Sequence, residues 1–514
     1  MHRPDQLVEE SLIRRFAFPA AVALVTGCGL YLRMVRVLPE DFPLNDGGLF
    51  YRMTAELQAS GYRLPVTTAY NHAGIPFAYP PAGFYLLGWT AALTGAGLLD
   101  LLRVVPALLS VLTIPAFAAL TRAICRSRLT TIAATVAFVL LIRSWLWLVM
   151  GGGLTRSLGF LSALLFLQQL VLMYRERRPL RLAGAVLFGA LTVLSHPGSA
   201  WFAAYSALLV FLAYGRSAAG VRDTLGVAAG VALVTAPWWL TVVGRHGWMP
   251  LLSAAQSGGH EQHSLEALRY FQFTDEPFVG VLGTLGLIGL LVSAAQGRFL
   301  LPAWLLAVAL LNPRSINQSA SVPMAMLVSV AVEAVLLPGI RAATGGRSWL
   351  RLDPAPLVLG GLAAYAFMAA LSGARNRTEL EALSRPNRTA MTWASARTAR
   401  DSRFLVVTER RSGANPVSEW FPALTGRVSV ATPQGYEWLP ERQFDQRVAR
   451  HDSLTACVRR DAACVEAWAD RTGTAYDYLY LADPPPSPLH ASLRRSSRYA
   501  AVYDADGVAI FVRR

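Results

Sequence analysis

The chain has 514 residues, 54% of them hydrophobic and only 15% charged, with a formal net charge of +15. Its repeated apolar runs of about 17 to 22 residues match a hydrocarbon layer of about 30 Å, which excludes one soluble core and implies a polytopic membrane protein. All of the cationic charge is arginine, with no lysine in the sequence; Schiff-base lysine chemistry is excluded, and basic loops facing lipid account for the charge without nucleic acid.

The first apolar run, 16–38, leads into a polar island at 39–81 that begins PEDFPLNDGGLFY and closes with IPFAYPP. Asp46 lies there, just past the end of a span, where a carboxylate can meet the head group of a lipid-borne substrate. The following Gly47 and Gly48 allow close approach of backbone and substrate. Asn45 and Asp46 also suit the cap of a helix beginning at Gly47, so base and cap are both open readings.

Further candidate spans fall at 104–121, 129–150, 157–174, 180–196, 199–214, 224–243, 278–295, 299–311, 324–337 and 354–372, which makes about eleven with the first. The connectors RAICRSR (122–128), RERRPLR (175–181), GRSAAGVRD (215–223) and the 341–351 loop are basic, and the positive-inside rule puts them in the cytoplasm. The N-terminus, with Arg3, Arg14 and Arg15, belongs inside as well, and the island outside. Residues 82–98 are nearly long enough to span, but crossing there would reverse every later loop. They read as a juxtamembrane or re-entrant helix, the alternative being a span with a neighbouring pair miscounted.

The outer side then collects GGGLTR (151–156), SHPG (195–198), the segment 244–276 and NPRSINQ (312–318). Polar residues at that boundary tend to line a cavity or substrate path, because lipid exposure is costly. Arg156 follows three glycines at the outer start of a helix expected from Ser157 onward, a setting that binds anions, and Arg314 is the second candidate. Each could instead anchor to lipid head groups. Arg143 sits mid-span near Trp145 and Trp147, as a ligand or a structural partner. His196 reads as an orienting donor or a helix-end residue. His260 and His263 are spaced to ligate a cation, though a flexible polar loop explains GGHEQHS as well.

After residue 372 the apolar spans stop, charge rises, and strand-like runs follow at 404–408, 476–481 and 500–512, the last a hairpin around DADG. The fold class read from this pattern is an all-α polytopic membrane domain, residues 1–372, with a C-terminal soluble α/β domain, residues 373–514, on the outer face. Cys457 and Cys464 could form a disulfide only if the helix between them is broken, and two free thiols are the other reading. Trp420 in SEWFPALTGR suits a cavity mouth or an acceptor sugar, and suits equally the packing of the tail on the membrane part.

NDGGLFY after the first span, IPFAYPPAGFY, GGGLTRSLG and EWFPALTGR, in this order and with an exported tail, resemble the GT-C superfamily of integral-membrane glycosyltransferases that use polyprenyl-phosphate sugars. The resemblance covers most of the chain by layout and only these patches by motif. It implies inverting transfer of a sugar from a polyprenyl-phosphate donor to an acceptor at the outer face of the cell membrane. Asp46 would be the base, and Arg156, Arg314, Arg143, His196, Tyr79 and Trp420 the substrate contacts. Oligosaccharyltransferase-like members use acidic residues with a divalent cation, but no D-x-D pair stands in the first loop and W-W-D-Y-G is absent from the tail. Metal-independent transfer without a cofactor is therefore the expectation. A lipid-sugar transporter or assembly partner is the alternative; it would be expected to show inverted halves, and no internal repeat is evident.

Overall fold

In a computed structural model, residues 4–257, 280–311, 315–343, 355–413, 415–441, 443–482 and 487–514 are described. A helix forms at each of the eleven apolar runs, but they are not equal. Among the described residues seven are long and apolar enough to cross a membrane: Phe16–Val37, Leu98–Cys125, Gly153–Glu176, Pro197–Gly215, Ala218–His246, Ile316–Ala343 and Ala355–Asn376. Pro179–Val193, Val281–Ala295 and Leu300–Leu311 are shorter, so among the described residues helix length and composition support seven crossings, or eight if the bent pair described next is one span, of the eleven expected. The apolar windows of Gly153–Glu176 and Ile316–Ala343 are each 72% buried against 17% for Ala218–His246, which makes the first two the centre of the bundle and leaves the third facing lipid.

The run at 129–150 is not one straight helix. Its helix ends at Leu140, and the chain turns by 76° into short 3-10 turns at Ile142–Ser144 and Leu146–Leu148. Trp145 stabilises the break: its Nε1 donates to the Val139 carbonyl at 3.2 Å, one of the acceptors a helix end leaves free. The Arg33 guanidinium lies over the same ring at 5.0 Å. Residues 82–98 contain a helix of only 13 residues, Ala82–Thr94, closed by Gly95 in the left-handed region. At 1.5 Å per residue this reaches about 20 Å, short of a crossing.

The island folds as a helix, Gly48–Ala59, and a small antiparallel pair, β1 (Thr67–Thr68) and β2 (Ile75–Pro76). It does not stand alone. Phe42, Leu49, Phe50 and Met53 share one buried core with Phe404, Trp420, Phe421 and Ile510 from the tail. Polar contacts fix the register. Asn71 donates to the Ser429 carbonyl at 3.0 Å and accepts from its N–H at 2.6 Å, while Asp41 bridges Arg385 and Arg388.

The tail sheet holds β3 (Arg403–Val407), β4 (Val428–Ser429), β5 (Tyr478–Ala482), β6 (Tyr499–Ala505) and β7 (Val508–Arg513), in the order β4-β3-β5-β7-β6. The first three are parallel and the last two antiparallel. The expected hairpin is β6–β7. Asp506 and Gly507 both take positive φ, 52° and 82°, the turn that matches strand twist and that Asp-Gly favours. Cys457 and Cys464 are bridged with Cα atoms 5.5 Å apart. The required break is present: a 3-10 turn ends at Arg459, and a new helix begins at Ala462 behind Asp461, which caps it. Closing so short a loop is worth about 2 kcal/mol. Reduction, or Cys457→Ser with Cys464→Ser, should destabilise the tail by that amount in denaturant melts, and unchanged melts would contradict it.

Candidate active site

Asp46 is turned inward by the chain on both sides of it. Asn45 adopts φ 50° and Gly47 φ 127°, and the Asn45 N–H donates to the Glu381 carbonyl at 2.9 Å. The aspartate is 7% exposed. Its Oδ1 accepts from the Gly152 N–H at 2.8 Å, and the Gly151 N–H donates to the Leu44 carbonyl at 2.9 Å. The glycines are required sterically. A Cβ on Gly151 would lie 2.1 Å from the Asp46 carbonyl oxygen, and one on Gly152 2.4 Å from Oδ2. The capping alternative does not describe this carboxylate: the helix starts at Gly48, its cap is Gly47, and no side chain bonds there.

Arg156 lies in the first turn of the helix Gly153–Glu176, which begins four residues before the expected start. Its Nη1 donates to the Trp147 carbonyl at 3.2 Å, and the guanidinium lies 5.3 Å from the centre of the Trp147 ring. Nη2 faces Asp46 Oδ2 at 3.9 Å, the long edge of an ion pair, so the guanidinium approaches the carboxylate without closing on it. Burial pushes the Asp46 carboxyl above the usual carboxylate range, while Arg156 and the Gly152 N–H pull it back.

The tail supplies another acid. Glu419, in the helix Pro416–Thr425, is 8% exposed, and its carbonyl accepts from the Tyr70 hydroxyl at 2.7 Å. With the Gln434 amide nitrogen turned towards it, that group donates to the two carboxyl oxygens at 3.1 and 3.3 Å. Burial first, then Asp46 and Glu437, push the Glu419 carboxyl well above its usual range, against the pull of Arg156. In the sequence Glu419 stands beside Trp420 in SEWFPALTGR, a combination that suits a cavity mouth as well as packing, and it is a lone charge inside the apolar helix PVSEWFPALT.

The remaining candidates scatter. Tyr79 is buried beside the site, its hydroxyl 3.1 Å from Thr155 Oγ1. Trp420 is fully buried: Nε1 donates to the Asn45 carbonyl at 2.8 Å and the ring meets Phe42 edge-on at 4.6 Å. It therefore packs the tail onto the island, and the expected contact with an acceptor gives way to that role. Arg143 is half-buried in the 3-10 turn after the helix break, not mid-span as expected. His196 caps the helix Pro197–Val210, its Nδ1 accepting from the Ser199 N–H at 3.2 Å, which is the helix-end reading. Arg314, His260 and His263 lie outside the described residues. Among the described residues no three His, Cys, Asp or Glu side chains converge, and the group facing Asp46 Oδ2 is the Arg156 guanidinium.

Gly151→Ala tests the geometry directly. Its Cβ would lie 2.1 Å from the Asp46 carbonyl oxygen, and shifting residue 151 to relieve that contact would stretch its N–H bond to the Leu44 carbonyl, so a loss of about 3 kcal/mol is expected in thermal or denaturant unfolding. Near-native stability would mean that the island and the turn are not held this closely.

No family model and no curated protein match the sequence. Solved structures do match in fold. The archaeal oligosaccharyltransferase AglB from Archaeoglobus fulgidus, in complex with an inhibitory peptide and a dolichol-phosphate, aligns with TM-score 0.63 and 15% identity, over 91% of this chain and 70% of its own. The arabinofuranosyltransferase AftD from Mycobacteria aligns with TM-score 0.55 and 18% identity, over 96% of this chain and 40% of its own. ArnT from Cupriavidus metallidurans, bound to undecaprenyl phosphate, aligns with TM-score 0.53 and 13% identity, over 95% of this chain and 97% of its own. At such identities the likeness to these three structures is one of fold.

Proposed function

We propose that the protein is a membrane glycosyltransferase that moves a sugar from a polyprenyl-phosphate donor to an acceptor hydroxyl at the outer face of the membrane. The observation that carries this reading is the facing pair, Asp46 and Arg156, at the outer start of a span, held apart by 3.9 Å in a glycine-lined turn. Support also comes from the fold neighbours, one solved with dolichol-phosphate and one with undecaprenyl phosphate.

In this reading the acceptor oxygen attacks the anomeric carbon and forms the new C–O bond. The bond from that carbon to the phosphate oxygen breaks, its electron pair stays on the phosphate, and attack opposite the leaving group inverts the anomeric centre. The acceptor proton passes to Asp46 Oδ2, since Oδ1 is engaged by the Gly152 N–H. Arg156 holds the phosphate as negative charge builds on it, with a guanidinium fork suited to two oxygens. The desolvated Asp46 is a stronger base than a carboxylate in water. No step is routed through a metal.

Asp46→Asn should lower turnover by about 10² to 10⁴. It should not lower thermal stability at neutral pH: a buried acid whose proton affinity is raised by folding stabilises most below its unfolded pKa, and that contribution fades as pH rises through the folded value. Arg156→Ala should instead weaken donor binding, with Lys restoring only part, because an ammonium lacks the fork. Near-normal transfer by the Asn variant, or unchanged donor affinity in the Ala variant, would contradict these roles.

The orientation that goes with this reading has the N-terminus in the cytoplasm and the tail outside. Cysteine-accessibility labelling of intact cells should mark positions introduced on the tail sheet and spare the 175–181 loop; the reverse pattern would contradict the outer-face assignment.

A further inference from the structure

The first span carries a buried cation without a counter-ion. Arg33, one turn before the end of the helical segment Phe16–Val37, is 1% exposed. Its Nε donates to Ser110 Oγ at 2.9 Å and its Nη1 to the Gly29 carbonyl at 3.2 Å, while Nη2 has no acceptor among the described residues. Both acceptors are neutral, and no carboxylate of the described residues pairs with the guanidinium. An arginine keeps its charge in almost any setting, and a buried charge left unpaired costs stability. An apolar side chain of similar volume would serve packing better, so stability does not account for the charge.

The guanidinium lies 5.0 Å from the centre of the Trp145 ring, and Trp145 Nε1 bonds the Val139 carbonyl at the broken end of the helix Arg128–Leu140. A Cβ on Gly29 would lie 3.2 Å from both Arg33 Nη1 and Val139 Cγ2, which places the cation beside that helix end. A helix C-terminus carries about half a negative charge on its free carbonyls, and a cation there is favourable. Residues 129–150 hold no glycine or proline to stop a helix; as one helix they would reach about 33 Å, enough to cross. The bend therefore depends on tertiary contacts, and Arg33 meets the break through Trp145. Two residues further on, the Trp147 carbonyl accepts from Arg156 Nη1 at 3.2 Å, and the Leu148 carbonyl accepts from Ser157 Oγ at 2.6 Å. The bent segment thus holds the first turns of the helix Gly153–Glu176. We propose that Arg33 is a positioning residue for the donor site: set against the broken helix end and over Trp145, it keeps residues 141–148 bent and so places Arg156 where it can take a phosphate. The inference rests on the reading of Asp46 and Arg156 as the site of a polyprenyl phosphate.

The full-length protein in lipid nanodiscs serves for thermal melts and for binding of undecaprenyl phosphate, in the wild type, Arg33→Met, Arg33→Lys and Trp145→Phe, and for an experimental structure of Arg33→Met. Arg33→Met should melt no lower than the wild type, since a linear apolar chain replaces an unpaired charge. It should nevertheless bind the lipid phosphate about tenfold more weakly or worse, the loss of a well-placed charge-assisted contact. Its structure should show the Trp147 carbonyl drawn away from the Arg156 guanidinium. Arg33→Lys, which restores a charge at the helix end but no planar face over the ring, should recover part of the affinity. Trp145→Phe, which keeps a ring but loses the bond to Val139, should weaken binding in the same direction. Wild-type affinity in Arg33→Met or in Trp145→Phe, a Lys variant no better than the Met one, or an Arg33→Met structure that keeps the Trp147 to Arg156 bond would each overturn the proposal. So would an Arg33→Met protein that fails to fold or melts lower, since Arg33 would then be a stabilising residue. A wild type that binds no undecaprenyl phosphate would overturn the donor reading itself, and the structure of Arg33→Met would still report on what holds the bend.

Discussion

Two backbones meet where no side chain fits. The Leu44 carbonyl accepts from Gly151, and the Asp46 carboxylate from Gly152, at distances that a single added methyl on either glycine would violate. From this contact follow the burial of Asp46, its separation from the cap of its own helix, and its facing of Arg156 one turn further on. The approach also depends on the helix break before it. Because the helix stops at Leu140 and the chain turns through Trp145 and Trp147, the three glycines arrive beside the island instead of continuing a span.

The tail closes the arrangement from the other side. Trp420 bonds the Asn45 carbonyl and covers Gly47, Asn71 exchanges two hydrogen bonds with Ser429, and the two segments share a hydrophobic core. The tail is therefore a wall of the site, and it brings Glu419 with it. Buried acids whose charged forms are disfavoured lower stability at neutral pH, a cost that proteins carry where function needs it. Asp46 and Glu419 are both buried here, and burial pushes both carboxyls above their usual range.

Much of this was legible in the sequence, for reasons that differ by residue. The helices follow from apolar runs, and the β6–β7 hairpin from Asp-Gly between apolar segments, because both signals are local. Asp46 and Arg156 stood out because glycines flank each of them at a membrane boundary, where charge is unusual. The break at Leu140 was hidden, since no proline or glycine marks it and the stabilising contacts come from Trp145 and from Arg33, more than a hundred residues away. The surroundings of Glu419 were hidden for a related reason: its partners, Asp46, Arg156 and Gln434, converge only through tertiary structure. Trp420 was ambiguous in the sequence because an aromatic beside an acid suits a sugar and a core equally, and only its burial decides between them. His196 was ambiguous in the same way, a cap and a ligand both needing a free ring nitrogen.

The central claim is that Asp46 and Arg156 together receive a polyprenyl phosphate. It is tested most directly by an experimental structure of the protein with undecaprenyl phosphate bound. The account expects phosphate oxygens on the Arg156 guanidinium, on the side open to Asp46 Oδ2, with the lipid chain running along the outer end of the helix Gly153–Glu176. A phosphate held elsewhere, at Arg143 or beside His196, with Arg156 still turned to Trp147 and Asp46, would contradict it.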